Sequence, residues 1–290
     1  MINKQMIVVL LIYGLLLTPF TFASDFQSPR TAGLGGAGHA SPLLGDAIYQ
    51  NPSFASYAQV HSLSFNYGNF RGGEVNTPLG PSEFYGHNMN ISVLDGTQEA
   101  LFQAGVGYTR REDVSLIHVA GSKNVSKRVS VGAGVKMIFP NDMSGSRIMD
   151  GTLSVTWITA PWLQLALIGD NLFNAGTSKG FYPEYTLGTK INIMSGMLMI
   201  YIDPHLLANL PVGKDAFGYE AGVELPLATD IFIRAGKFQN SNAPFQYQLA
   251  DGFGVGIGWV GPKLALEYSF SRTSFPMQTN AHTAGMSLFF

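Results

Sequence analysis

The chain has 290 residues, a formal net charge of -2 and no cysteine. Charged residues make up 12% and apolar residues 46%, so charge runs at about half the share usual in a soluble globular protein. These values exclude disulfides, thiolate metal sites and cysteine nucleophiles. They supply no basic footprint for nucleic acid and too few apolar runs for a bundle of membrane helices.

The N-terminus reads as an export signal over residues 1–23. Lys4 precedes an apolar run from Ile7 to Leu17, Pro19 breaks the run, and Thr21-Phe22-Ala23 puts small residues where a signal peptidase reads. The run is too short to span a membrane comfortably. Cleavage after export into the envelope of a diderm bacterium is therefore expected.

Residues 24–58 carry no strand pattern. They hold a glycine cluster with Gly35, Gly36 and Gly38, and then Asn51-Pro52-Ser53. A phosphate loop is excluded, because no strand precedes the cluster and no Gly-Lys-Ser/Thr follows it. Glycines here suit close backbone packing. Pro52 sets its own φ and biases Asn51 toward an extended conformation, which fixes a turn.

From residue 59 to 290 the sequence alternates with period 2 in short bursts. Val129, Val131, Ala133, Val135, Met137 and Phe139 share one face, and Ser130, Gly132, Gly134 and Lys136 the other. Fourteen strands are predicted, near 59–69, 88–94, 99–108, 114–122, 128–139, 150–158, 162–171, 183–193, 197–203, 218–227, 231–237, 252–259, 263–270 and 282–290. Alternate links are short, as at Asp95-Gly96, Asn124 to Lys127, Thr159 to Pro161, Ser195-Gly196, Ala228 to Asp230 and Gly261-Pro262. The others are mostly long, at 70–87, 140–149, 172–182, 204–217, 238–251 and 271–281, with a tight exception around Arg110 to Asp113. Short turns at one end and long loops at the other are the asymmetry of an outer-membrane barrel, and an even strand number returns both termini to the periplasm. The expected fold class is all-β: a transmembrane antiparallel β-barrel of about 14 strands.

Trp157, Trp162 and Trp259 all adjoin short turns, where an amphipathic ring suits the membrane interface. The last strand ends Thr283-Ala284-Gly285-Met286-Ser287-Leu288-Phe289-Phe290. A polar residue, Gly285, apolar Leu288 and terminal aromatic Phe290 resemble the signal read by the outer-membrane assembly machinery.

The Gly-Gly-Ala-Gly stretch, the acidic Asp46 and the Tyr49-Gln50-Asn51-Pro52-Ser53 step resemble the FadL/PorV/PorQ superfamily of outer-membrane proteins. Further matching stretches are Ser126 to Lys136, Leu165 to Leu172 and Ala221 to Glu224. The resemblance covers nearly the whole mature chain. It implies a 14-stranded barrel whose N-terminal segment, residues 24–58, folds into the lumen as a plug. Ser53 departs from the alanine usual after Asn-Pro, and the chain is shorter than typical fatty-acid transporters. In FadL-like transporters a kinked third strand opens the wall sideways, which makes Gly105 and Gly107 candidates for a lateral gate; close packing of the plug is the alternative.

Alternation places Lys136, Lys190, Asp203, Glu220, Glu224, Arg234 and Glu267 on the lumen side. They form either a polar path for a ligand head or an ion network that pins the plug. The second is expected, because charges inside a barrel must pair or meet water. The six histidines show no metal spacing. His118 and Ser130, on adjacent strands, would need a fortuitous register to act as a hydrolase pair, so neither an enzyme nor a cofactor is expected. The resemblance implies passive transport or binding of hydrophobic small molecules such as long-chain fatty acids. The alternative is a PorV/PorQ-like barrel serving secretion or surface attachment, with 70–87, 204–217 and 238–251 contacting a partner protein. Other expected partners are outer-membrane lipid and, during biogenesis, the assembly machinery.

Overall fold

The computed structural model describes residues 26–77, 80–97, 101–111, 114–140, 147–175, 181–210, 215–241, 249–275 and 277–290. The expected signal peptide lies outside them. Fourteen strands close into one antiparallel ring in sequence order. They are β1 (His61–Thr77), β2 (Gly80–Asp95), β3 (Gln103–Arg111), β4 (Val114–Ser126), β5 (Val129–Pro140), β6 (Ile148–Ala160) and β7 (Leu163–Asp170). The second half is β8 (Glu184–Ile193), β9 (Leu198–Leu207), β10 (Phe217–Pro226), β11 (Ile231–Ser241), β12 (Ala250–Val260), β13 (Leu264–Phe275) and β14 (Thr279–Phe289). The ring closes at the last residue, where His61 N donates to Phe290 O at 3.0 Å and Phe290 N to His61 O at 3.1 Å.

The burial pattern is inverted relative to a water-soluble sheet. On β1, Ser62, Ser64 and Asn66 are buried while Leu63, Phe65 and Tyr67 are exposed. The same holds on β14, where Thr283 and Ser287 point in and Met286 points out. Apolar side chains outside and polar ones inside define a transmembrane barrel of the outer-membrane type. Both termini of the ring lie at one end with the short turns, called here the turn end. Trp157, Trp162, Trp259 and Phe290 are exposed there.

Several links differ from the sequence expectation, two of them most. The span 70–87 is mostly strand: β1 and β2 have 17 and 16 residues and pair out to Thr77↔Gly80. Its sequence shows no apolar alternation because a hairpin beyond the lipid needs only backbone pairing. The Asp95-Gly96 link is longer than read, since β3 starts at Gln103. There Asp95 Oδ1 accepts from Thr97 N at 3.0 Å and from Thr97 Oγ1 at 2.7 Å, and Gln103 Nε2 donates to Thr97 O at 2.9 Å. These local bonds compete with strand pairing. The loops 204–217, 238–251 and 271–281 also shorten, as β9, β11, β12, β13 and β14 extend into them.

Residues 26–58 touch strands on all sides of the closed ring and therefore lie in its lumen. They form α1 (Pro29–Gly33), a 3-10 turn (Leu44–Asp46), α2 (Ala47–Gln50) and a second 3-10 turn (Pro52–Tyr57). Ser28 caps α1: its Oγ accepts from Thr31 N at 3.2 Å, and Thr31 Oγ1 accepts from Ser28 N at 3.0 Å. From Gln27 to Ala40 the chain travels round the inner wall. Asn90 of β2 donates to Gln27 O, Pro29 meets Gly285 of β14, Ala32 meets Gly254 of β12, Leu34 meets Gly236 of β11, and Ala40 meets Gly188 of β8. Gly35, Gly36 and Gly38 take φ of +65, +91 and +123, conformations that other residues adopt only at a cost.

The wall glycines leave room for this path. A Cβ on Gly236 would overlap the Leu34 carbonyl, and one on Gly254 the Ala32 carbonyl. Gly254→Val is expected to expel residues 26–40 from the wall at a cost of about 1–3 kcal/mol while the ring persists. Limited proteolysis checks this: cleavage near Arg30 should appear with unchanged heat-modifiable migration of the barrel. Unchanged protection of Arg30 would contradict it.

Candidate functional site in the lumen

The lumen has two chemically different sides. On the β9–β13 side the expected charges meet the inserted segment. Arg30 Nε lies 3.3 Å from Glu224 Oε2, and its Nη2 donates to Tyr201 Oη at 2.8 Å. Tyr201 Oη donates on to Glu224 Oε1 at 3.1 Å. Arg234 Nε lies 2.5 Å from Glu224 Oε2, and Arg234 Nη1 2.6 Å from Glu267 Oε1. Two carboxylates thus hold two guanidiniums, and all four groups are buried. Tyr201 relays between the two sides of the cluster.

The other expected charges separate into smaller groups. Asp203 Oδ2 accepts from Gly38 N at 2.7 Å, from His39 N at 2.9 Å and from the His39 ring at 2.9 Å. Burial opposes charge on that ring most strongly of any one effect, but the Asp203 hydrogen bond and the charges of Asp203, Glu220 and Glu184 together outweigh it and hold the His39 pKa up at about 9. Glu220 accepts from Ser241 Oγ and lies 3.5 Å from His205 Nδ1. Lys190 stands apart from the carboxylates, with Nζ 3.3 Å from Ser41 Oγ and 5.9 Å from the centre of the Tyr201 ring. Nearer the turn end of the segment, burial pushes the Asp46 carboxyl up to about 7 against the opposing Ser28 Oγ bond of 2.6 Å.

The β3–β6 side is built in rows by register. Nearest the loops, Leu116, Ile138 and Ile148 pair across β4, β5 and β6. Val114 and Phe181 complete this apolar cluster, and Phe181 comes from the β7–β8 loop. The next row holds Gly107, His118, Lys136 and Asp150. Lys136 Nζ donates to Asp170 Oδ2 at 2.6 Å and lies 5.9 Å from the centre of the Phe181 ring. Below come Gly105, Ala120 and Gly134, against which Ile48, Tyr49 and Pro52 pack. Tyr49 stacks on Phe26 at 4.1 Å and meets the His118 ring edge-on at 4.8 Å. The last two rows carry hydroxyls. Ser130 Oγ donates to Ser53 O at 2.7 Å, Ser154 Oγ accepts from Ser53 N at 2.8 Å, and Thr156 Oγ1 accepts from Asn51 Nδ2 at 2.9 Å.

Gly105 and Gly107 therefore receive Ile48 and Tyr49, and β3 pairs without a register shift to β2 and β4. The wall is closed at this point. Ser53, the departure from the superfamily pattern, uses its hydroxyl: Oγ lies 2.6 Å from Asn51 Oδ1 and 2.7 Å from Thr156 Oγ1. His118 and Ser130 are six register positions apart, about 20 Å along the strands. Among the described residues no group of three or more His, Asp or Glu is placed to hold a metal. Sequence reasoning missed Arg30, Tyr201, His39, His205 and Asp170. Arg30, directly before the glycine cluster in a segment bound for the lumen, was the readable signal, since a buried guanidinium requires carboxylates.

Solved structures with the same fold are transporters by their titles. The chain matches the Ralstonia pickettii toluene transporter TbuX with a TM-score of 0.63 and 11% identity, over 92% of this chain and 98% of that one. It matches the CymD monoaromatic hydrocarbon channel at 0.65 and 12%, over 93% and 98%. For the Pseudomonas putida toluene transporter TodX the values are 0.64 and 10%, over 93% and 98%. No protein-family model and no curated protein matches the sequence. The fold is the 14-strand outer-membrane barrel that the FadL-like resemblance implied.

The Arg30 cluster tests whether the inserted segment is held by charge. Arg30→Ala and Glu224→Ala are each expected to cost about 3–5 kcal/mol, because each strands a buried partner. The double change should cost clearly less than the two singles added, since they share one interaction. Denaturation in detergent reads out all three variants. Strict additivity would place the two groups in separate interactions.

Proposed function

We propose that this protein is a FadL-like outer-membrane channel that takes up hydrophobic small molecules passively, without enzymatic chemistry. The observation that carries the reading is the apolar cluster of Val114, Leu116, Ile138, Ile148 and Phe181 at the loop end of the lumen. Inward-facing apolar groups run against the polar rule for a barrel interior and give an apolar molecule a place to leave water. The solved structures of like fold carry toluene and monoaromatic hydrocarbons by their titles, which supports the same substrate class here. Compact ring compounds fit this cluster better than long acyl chains, because the His118, Lys136 and Asp150 row interrupts it on the turn-end side. Export by cleavage after residue 23, and insertion by machinery reading Gly285, Leu288 and Phe290, belong to the same proposal.

Phe181 fills the cluster and is 3% exposed. Phe181→Ala is expected to raise the rate of toluene entry severalfold in cells that express the protein. Leu116→Asp should abolish entry, because a charge there would make the site hydrophilic. Uptake of labelled toluene measures both. Rates unchanged from cells without the barrel would overturn the reading. The projecting β1–β2 hairpin favours a second reading, a barrel that holds a secretion or surface partner. Cross-linking in native membranes from that hairpin to one stoichiometric protein, with no toluene entry, would establish it.

A further inference from the structure

Just below the apolar cluster at the loop end of the lumen stand two carboxylates with unequal bonding. Asp170 uses both oxygens: Oδ2 accepts from Lys136 Nζ at 2.6 Å, and Oδ1 from Thr152 Oγ1 at 2.5 Å. Asp150 uses one, since its Oδ1 accepts from Gly151 N and from Phe173 N, each at 2.8 Å. Its Oδ2 has no hydrogen-bond partner, although the residue is wholly buried. A carboxylate oxygen withdrawn from water without a donor is unfavourable, so this atom marks a place where a donor arrives.

Register sets that oxygen against the apolar cluster. Asp150 is two residues from Ile148 on the same face of β6, a step of about 7 Å. Its register partner on β5 is Lys136, and the partner of Ile148 is Ile138, which packs with Val114, Leu116 and Phe181. The β7–β8 loop is tied to this place near both of its ends. Phe173 N makes one tie, to Asp150 itself. Asn171 Nδ2 makes the other, donating at 3.0 Å to the carbonyl of Tyr182, the neighbour of Phe181. Asn171 Oδ1 is a second buried acceptor without a partner. The two amides on Asp150 Oδ1 hold the carboxylate in position, so Oδ2 is presented to the site instead of turning away from it.

We propose that the apolar cluster takes a phenol, with the ring against Leu116, Ile138 and Ile148 and the hydroxyl donating to Asp150 Oδ2. This rests on the reading of the lumen as a path for hydrophobic small molecules, and it names the class within that reading. A phenolic O–H on a carboxylate is a charge-assisted hydrogen bond, stronger than one between neutral groups. A hydrocarbon or an aryl ether of similar size displaces water from the site and leaves Oδ2 unbonded. Sites built around a buried polar group discriminate strongly against ligands that leave it unpaired. Asp150 therefore sets specificity, while the aliphatic side chains supply the affinity that all such rings share.

The test is ligand-observed saturation-transfer NMR on the full barrel in detergent, with phenol, anisole and toluene competing in pairs. Leu116→Asp, in which the site is made hydrophilic, supplies the detergent background. Wild type is expected to bind phenol at least about tenfold more tightly than anisole, the ether that lacks the donor. Asp150→Asn keeps an oxygen for Gly151 N and Phe173 N and turns a donor into the site, so the preference should fall to about twofold or less. Heat-modifiable migration shows whether Asp150→Asn folds, and the wild-type ratio tests the proposal without it. A wild-type ratio near one, a ratio unchanged in folded Asp150→Asn, or benzylamine bound more tightly than phenol would each overturn the proposal. Toluene bound above background with no preference for phenol would remove the phenol alone. No compound bound above the Leu116→Asp background would remove the lumen reading with it.

Discussion

An irregular chain can lie inside a membrane barrel only where its backbone polar groups find partners and the wall leaves space for them. Everything particular about this molecule follows from that constraint. The ring pairs its own strands completely, so it offers the inserted segment only side chains and the gaps left by glycine. Side chains do the bonding: Asp203 takes the amides of Gly38 and His39, Ser154 that of Ser53, and Gln164 Nε2 the carbonyl of Ala40 at 2.6 Å. Glycines provide the space, at Gly236 and Gly254 for α1 and at Gly107 for Tyr49.

The same constraint divides the lumen. The first part of the segment carries Arg30, and the β9–β13 wall answers it with carboxylates and a second arginine. A later part carries Ile48, Tyr49 and Phe54, and the wall from β3 to β5 answers with glycine and alanine. The ionic side contributes fixation, since a guanidinium held by a carboxylate and a phenol has little freedom to leave. The apolar side continues past the segment toward the loops. There, Phe181 rather than the segment completes the packing.

Much of this was legible in the residues. Period-2 alternation located all fourteen strands, and alternate short links gave the parity that returns both ends to one side. The links were read less well. Asp95-Gly96 looks like a two-residue turn because glycine after aspartate is a strong turn signal, but the hydrogen bonds of Thr97 and Gln103 delay β3. The span 70–87 looked like a loop because alternation reports lipid contact, and a hairpin beyond the lipid has none. For the lumen charges, alternation identified which side they occupy and stopped there. Lys190 and Glu267 look equivalent in sequence, yet Glu267 binds Arg234 while Lys190 sits over Tyr201.

The sequence by itself determined the inside-out barrel and its strand number, because alternation and turn chemistry are local properties of a few neighbouring residues. Only the tertiary structure decided which residues meet. Register sets Leu116 beside Ile138 and His118 six positions from Ser130, and it aligns Arg71 with Asn280 and Arg272 across the seam that closes the ring. A register is a property of two strands together, and here the segment lying against them helps to hold it. Neither is written in any one stretch of the chain.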